Sequence, residues 1–264
     1  MVQGLALERD FLLEGKTAIV TGAAMGLGKA MAEALAQCGA NIIVADFNQE
    51  ACEKTSEELG QYGIKTLFVK MNIRDQEDIE KVINKTLLQF REINILVNNA
   101  GIGRPRPSID VSREEWQEVI DTNLTGLFFM SQAAGRQMIK QKRGNIINIA
   151  SMSAQIINHE VPQTSYYASK AGVVMITKAL AAEWAQFNIR VNAISPGVMM
   201  TNQTQYMFND PAKKQMISKW MDYTPLGRPG QPEELGGAVT FLASENSSYM
   251  TGNVLTIDGG YTVY

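Results

Sequence analysis

Short, wholly apolar runs alternate along this chain with segments whose apolar residues recur at helical spacing. Thr17-Ala18-Ile19-Val20 is the first run, followed by a glycine-rich turn and a helix from about Gly28 to Gln37. Asn41–Ala45 predicts a second strand, with a polar helix through Glu50–Leu59 after it. Thr66–Val69 is a third strand, Asp75–Phe90 the next helix and Ile95–Val97 a fourth strand. Asn145–Ala150 is a fifth, after a long helical stretch. A helix then carries the apolar stripe Ala171, Val173, Val174, Ile176, Ala179, Leu180 and Ala182. Arg190–Ile194 and Asn253–Ile257 complete the series. A strand with one wet face would alternate apolar and polar positions; these do not, so both faces must be covered. Strands separated by helices predict a parallel sheet with right-handed crossovers. The predicted fold class is α/β: a doubly wound parallel sheet of about seven strands with helices on both faces. One region breaks the alternation. Between Pro196 and Pro232 lie Met199, Met200, Tyr206, Met207, Phe208, Met216, Trp220, Met221 and Tyr223. So long an interruption is uncommon in a compact domain. Its aromatics and methionines exclude a disordered linker, and a substrate lid near residues 199–225 is expected.

Composition narrows the function classes. The 264 residues fit one large α/β domain, 1–264, and a hydrophobic content of 45% is ordinary for a protein with a sizeable core. A formal net charge of −3 gives no ground for a nucleic-acid or membrane-surface partner. Met1–Asp10 holds no apolar run flanked by basic residues, so no signal peptide is expected, and no run approaches the ~18 apolar residues of a membrane span. Cys38 and Cys52 lie outside any CxxC and read as reduced thiols of a cytoplasmic protein. The single histidine, His159, has no obvious co-ligands, so no metal is expected.

Three stretches carry candidate chemistry. In Thr21-Gly22-Ala23-Ala24-Met25-Gly26-Leu27-Gly28, glycines follow a strand and open a helix. Glycine permits a tight turn in which backbone N–H groups approach a pyrophosphate, and the helix N-terminus adds partial positive charge. Asp46 ends the second strand, where a carboxylate accepts hydrogen bonds from the adenosine ribose of NAD and repels the 2′-phosphate of NADP. Met25 and Phe47 bring no arginine to that phosphate. The third stretch is Tyr166-Tyr167-Ala168-Ser169-Lys170. At i and i+4 of a helix, a phenol and an ammonium project side by side. A cation favours the phenolate and lowers a pKa that is otherwise about 10, giving a proton-transfer unit.

With Thr21–Gly28, Asn98-Asn99-Ala100-Gly101, Asn123, a serine after the fifth strand and Tyr166–Lys170 in this order, the chain resembles the short-chain dehydrogenase/reductase family from about Leu13 to Tyr261. The resemblance implies a Rossmann-type sheet and a homotetramer, and Asp46 makes NAD the expected cofactor. It implies Tyr166 as general acid/base, Lys170 as the residue that lowers its pKa and meets the nicotinamide ribose, and Asn123 as holder of a relay water. Ser151, directly after Ile146–Ala150, is the preferred catalytic serine, with Ser153 as a substrate-facing helper. The cofactor would further meet Gly22, Met25, Gly26, Leu27, Gly28, Asp46 and Phe47. Asn72 and Ile73 would lie at the adenine, with a carbonyl acceptor where the family often has aspartate. Asn99, Ala100 and Gly101 would pass the adenosine. Pro196, Gly197, the Val198 backbone and Thr201 would meet the nicotinamide amide or phosphate, and Asp258-Gly259-Gly260 would form a structural, intersubunit turn.

The substrate reading is coarser. Ser151–Asn158 is similar to the matching loop of polyol and ketose dehydrogenases, and Gln155, Asn158, His159 and Gln163 could meet several hydroxyls. Gly101–Pro107 is similar to gluconate 5-dehydrogenases, and Arg104 could pair a sugar-acid carboxylate. The expectation is an NAD-dependent oxidoreductase for a sugar alcohol or sugar acid. The alternatives are a 3-oxoacyl-carrier-protein reductase, which would expect NADP and a basic docking patch, and a non-catalytic dinucleotide-binding regulator.

Overall fold

The computed structural model describes residues 11–158 and 161–264. Seven parallel strands form one sheet in the order β3-β2-β1-β4-β5-β6-β7. They are β1 (Thr17–Thr21), β2 (Asn41–Asp46), β3 (Thr66–Lys70), β4 (Ile95–Asn98), β5 (Gly144–Ile149), β6 (Ile189–Pro196) and β7 (Val254–Ile257). The helices are α1 (Gly26–Gln37), α2 (Gln49–Gly60), α3 (Gln76–Phe90), α4 (Arg113–Ile120), α5 (Gly126–Gln141), α6 (Thr164–Trp184), α7 (Asn202–Asn209), α8 (Lys214–Tyr223) and α9 (Gly236–Ala243). The seven strands, their parallel sense and helices on both faces agree with the apolar pattern.

Two apolar layers sandwich the sheet. Ala18, Val20, Ile42 and Val44 join Met31, Leu35, Val239 and Leu242 on one face. Ile19, Ile43, Leu96 and Ile146 join Ile79, Met130, Met138 and Trp184 on the other. Successive strand residues point to opposite faces, so continuously apolar strands feed both layers. Helix starts are set by side chains that satisfy the first free N–H groups. Asn48 caps α2, Asp75 caps α3, and Ser112 with Glu115 forms a reciprocal capping box on α4, each worth about 1 kcal/mol.

The strand order reverses between β1 and β4, where sheets of this type bind ligands beyond the carboxyl ends of the strands. Thr21, Asn98, Ile149 and Pro196 stand at those ends. The interruption after β6 is largely helical: α7, a short turn at Pro211–Lys213, then α8. Trp220 of α8 is buried with Met152 and Tyr261, with Val198, Met216 and Met221 around them. The expected lid is thus docked, in its second half, on the loop after β5 and on the C-terminal turn.

Candidate active site

The glycine turn opens α1 two residues earlier than the sequence suggested, at Gly26. Gly22 and Gly26 have φ of 63° and 57°, a region that favours glycine. A Cβ on Gly28 would collide with the Gly22 carbonyl oxygen, so the turn and helix close up only with glycine there. Met25 precedes α1 without a side-chain cap. The first N–H groups of α1 are therefore left for a ligand, and the positive end of the helix favours an anion. Leu27 packs on the core. Asn99 braces the turn, its Nδ2 donating to the Thr21 and Gly22 carbonyls at 3.0 and 2.9 Å. Thr21 Oγ1 accepts from the Asn99 and Ala100 N–H groups at 3.0 and 3.1 Å. Asp46 Oδ2 accepts from Ala24 N–H at 3.1 Å, which puts the carboxylate on the turn itself. Its other oxygen accepts from Asn48 N–H at 3.1 Å. Met25 and Phe47 are 42% and 70% exposed beside it, and Lys70 Nζ lies 6.0 Å over the Phe47 ring.

At the β3 end both residues expected near the adenine have contacts within the chain. Asn72 Oδ1 is used within the chain, accepting from Arg74 N–H at 3.2 Å, because Asn72 opens a local turn. Ile73 is core: a Cβ on Gly126 would stand 2.6 Å from its carbonyl oxygen.

Asn123 is fully buried in a π-helical turn, Asp121–Thr125, between α4 and α5. Such turns often mark functional sites. Its Oδ1 accepts from Ile102 N–H at 2.8 Å; its Nδ2 donates to the Ile102 carbonyl at 2.9 Å and to Ser169 Oγ at 3.1 Å. The amide thus clamps the segment after β4 to α6. Gly172 lets Leu124 of the π turn approach α6 closely, since a Cβ there would meet Leu124 Cδ1 at 2.7 Å. The clamped segment runs along the front of α6. A Cβ on Gly101 would stand 3.2 Å from Asn123 Oδ1 and 3.6 Å from Lys170 Nζ.

Tyr166 and Lys170 occupy the first two turns of α6. Ser151 Oγ accepts from Ser153 N–H at 3.1 Å and hydrogen-bonds the Tyr166 phenol. Ser153 is buried, with Oγ 3.4 Å from Asn158 Oδ1. Of the two serines, Ser151 is the one that draws the phenol's pKa down. Lys170 is buried, and Nζ donates to the Ile149 carbonyl at 2.7 Å and lies 5.7 Å from the Tyr166 ring centroid. Here the expectation of a lowered phenol pKa is corrected. Burial pushes the Tyr166 phenol up, and the Ser151 hydrogen bond draws it only part of the way back. Burial pushes Lys170 down to about 8.

Past β6, Gly197 N–H donates to the Ile257 carbonyl at 2.9 Å, and a Cβ on Gly197 would stand 2.5 Å from Asp258 Cα. The Asp258 turn therefore backs the Pro196–Val198 segment. The Val198 carbonyl accepts from Gly230 N–H at 2.9 Å. Thr201 faces the glycine turn, its Cβ 3.9 Å from the Cβ position of Gly26. Arg104 is spent on Glu118, with bonds of 3.0 and 3.2 Å, so a carboxylate of the chain itself takes the place foreseen for a sugar acid. His159 lies outside the described residues. Gly103 was not foreseen: a Cβ there would stand 3.9 Å from Tyr166 Cδ2. Only its position two residues after Gly101 hinted at it. The glycine turn, the uncapped helix and the carboxylate beside them fit a dinucleotide. Among the described residues no group of three or more metal-binding side chains occurs, and no helix is long and apolar enough to cross a membrane.

Residues 22–262 match a family model described as enoyl-(acyl carrier protein) reductase. The chain is 41% identical to a sorbose reductase of Candida albicans, over 96% of this chain and 89% of that protein. It is 40% identical to a 3-oxoacyl-[acyl-carrier-protein] reductase of Aquifex aeolicus, over 95% and 99%. Among solved structures, a short-chain type dehydrogenase/reductase from Mycobacterium marinum superposes with a TM-score of 0.92 at 40% identity, covering 98% of this chain and all of that one.

Proposed function

As the chain belongs to the short-chain dehydrogenase/reductase family, we propose that it uses NAD to interconvert a secondary alcohol and a ketone on a sugar alcohol or sugar acid, foremost a polyol and its ketose. The coarser activity is that of an NAD(P)-dependent oxidoreductase acting on CH–OH groups. The observation that carries the mechanism is the contact between the Ser151 hydroxyl and the Tyr166 phenol, with Lys170 on the next turn.

In this reading residues 1–264 form one cofactor- and substrate-binding unit. When bound, the dinucleotide would supply or accept the hydride. Tyr166 exchanges the proton of the substrate oxygen, and Ser151 holds that oxygen against the phenol. Lys170 lies between the phenol and the segment at Gly101, where it would meet the ribose. Asn123 holds that segment in place and leaves its path to α6 fixed. Gly22 to Gly28 and Asn99 to Gly101 form the cradle for the phosphates and adenosine. Pro196, Gly197, Val198 and Thr201 form the opposite wall. Asp46 supports NAD, since its carboxylate would repel a 2′-phosphate. Ser153 and Asn158, linked to each other, border the substrate. Exposed Ile109, Trp116, Phe129 and Met175 supply apolar surface for further copies, consistent with a homotetramer. The cell compartment proposed is the cytoplasm.

The 3-oxoacyl-carrier-protein reductase reading draws on the family model and the Aquifex relative; Asp46 speaks against the NADP it expects. A non-catalytic regulator would not need Ser151, Tyr166 and Lys170 kept together. A panel of polyols, ketoses, aldonates and a 3-oxoacyl thioester, each with NAD(H) and NADP(H), separates the readings by nicotinamide absorbance. Polyol or ketose turnover with NAD(H), lowered at least ~100-fold in Tyr166→Phe, is the expected result. Turnover of the thioester alone, or full activity of Tyr166→Phe, would refute it.

A further inference from the structure

Gln163 immediately precedes α6, and its carbonyl accepts from the N–H groups of Tyr166 and Tyr167 at 2.9 and 3.2 Å. Its side-chain amide lies beside a second phenol, that of Tyr167, and draws the phenol's pKa down against the effect of burial. The Tyr167 hydroxyl in turn donates to the Val161 carbonyl at 2.7 Å. The amide presents Oε1 to the segment after β4. There it stands 3.4 Å from the Cβ position of Gly103, a point itself 3.9 Å from Tyr166 Cδ2. Gly103 has no side chain to fill this space. Among the described residues none donates to Oε1. Gln163 also borders a groove of about 730 Å³ whose other lining includes Ile157, Val161 and Pro162. The amide is thus a polar group set between a largely apolar groove and the edge of Tyr166.

We propose that Gln163 is a specificity-determining residue whose amide oxygen accepts a hydrogen bond from a substrate hydroxyl on a carbon next to the one that reacts. The inference rests on the polyol reading above and narrows it. An oxygen acceptor recognises a donor, which an alcohol group supplies and a second carbonyl does not.

The test compares a hexitol that the wild-type enzyme oxidises with the deoxy-hexitol lacking one hydroxyl beside the reacting carbon. Wild-type kcat/KM should favour the full hexitol by roughly three- to tenfold, the worth of one neutral hydrogen bond. In Gln163→Leu that ratio should fall to about one, chiefly through KM for the full hexitol. Gln163→Glu keeps an acceptor oxygen and should retain the preference. Melting temperature and NADH binding, measured in parallel, show that the variants are folded. If hexitols are oxidised but Gln163→Leu keeps the wild-type ratio, or if the wild type shows none, this inference is overturned and the polyol reading stands. If no hexitol or ketose is turned over at all, the polyol reading falls and takes this inference with it.

Discussion

Lys170→Met removes an ammonium from the interior while nearly keeping side-chain length. Lysine ordinarily titrates near 10.5, and burial pushes Lys170 down to about 8. At about 1.4 kcal/mol per pH unit, carrying that proton at pH 7 costs the folded state about 3 kcal/mol relative to the unfolded chain. Against this, the variant loses the bond from Nζ to the Ile149 carbonyl, worth about 1 kcal/mol. The variant should therefore be more stable at pH 7 by about 2 kcal/mol, a rise of roughly 4–8 °C in Tm for a chain of this size. The sign of the pH dependence follows. The cost is fully present below about pH 8, where the folded protein holds the proton against its preference. It fades as pH rises towards 10.5, because the folded lysine is then neutral while the unfolded one stays charged. The gap between variant and wild type should close over that window. Activity should fall at the same time by ~100-fold or more, as expected for a group beside the proton-transfer residue. Thermal melts at pH 7 and pH 10, at one protein concentration, check both. A variant less stable than wild type at pH 7, or a gap that does not change with pH, would refute the reasoning.

Two further substitutions probe the ends of the site. Asp46→Arg replaces the carboxylate bonded to Ala24 N–H with a phosphate-binding cation. It should move the NAD/NADP ratio of kcat/KM towards NADP by tenfold or more, and an unchanged ratio would show that Asp46 does not read the ribose. Trp220→Ala empties the apolar contact among α8, Met152 and Tyr261. It should cost about 3 kcal/mol and raise substrate KM while leaving NADH affinity intact; an unaltered melting temperature would show that α8 is not anchored there.

Most of the architecture was legible because each strand's apolar run is bounded by turn residues, and two covered faces leave no alternation to misread. Helix starts were less legible. Gly26 rather than Gly28 opens α1 because the turn's geometry, not the apolar period, decides the first helical residue. Asn72 looked like an adenine acceptor, yet its oxygen closes a local turn. Arg104 looked free for a sugar acid, yet Glu118, a helix away, meets it. Asn123 sits in a π turn that no spacing rule announces, and its amide reaches back to Ile102. For Arg104 and Asn123 the deciding partner lies outside the local pattern.

The proton-transfer pair shows the same limit in its energetics. Spacing along α6 makes Tyr166 and Lys170 neighbours, and from neighbourhood alone one expects the ammonium to stabilise a phenolate. At a separation near the 5.7 Å from Nζ to the ring centroid, opposite charges attract by about 3 kcal/mol at an effective dielectric of 20. Enclosing a phenolate and an ammonium costs several kcal/mol for each ion. Desolvation therefore wins, and both groups are driven towards their neutral forms, the phenol up and the amine down. What tips the balance is the enclosure, built by β5, the π turn and the segment after β4 rather than by α6 itself. A phenol held protonated, with a serine hydroxyl bonded to it, is prepared to give its proton to a ketone oxygen. In the proposed mechanism the phenol thus enters the reductive direction already carrying its proton, and alcohol oxidation gains as the solution becomes more basic.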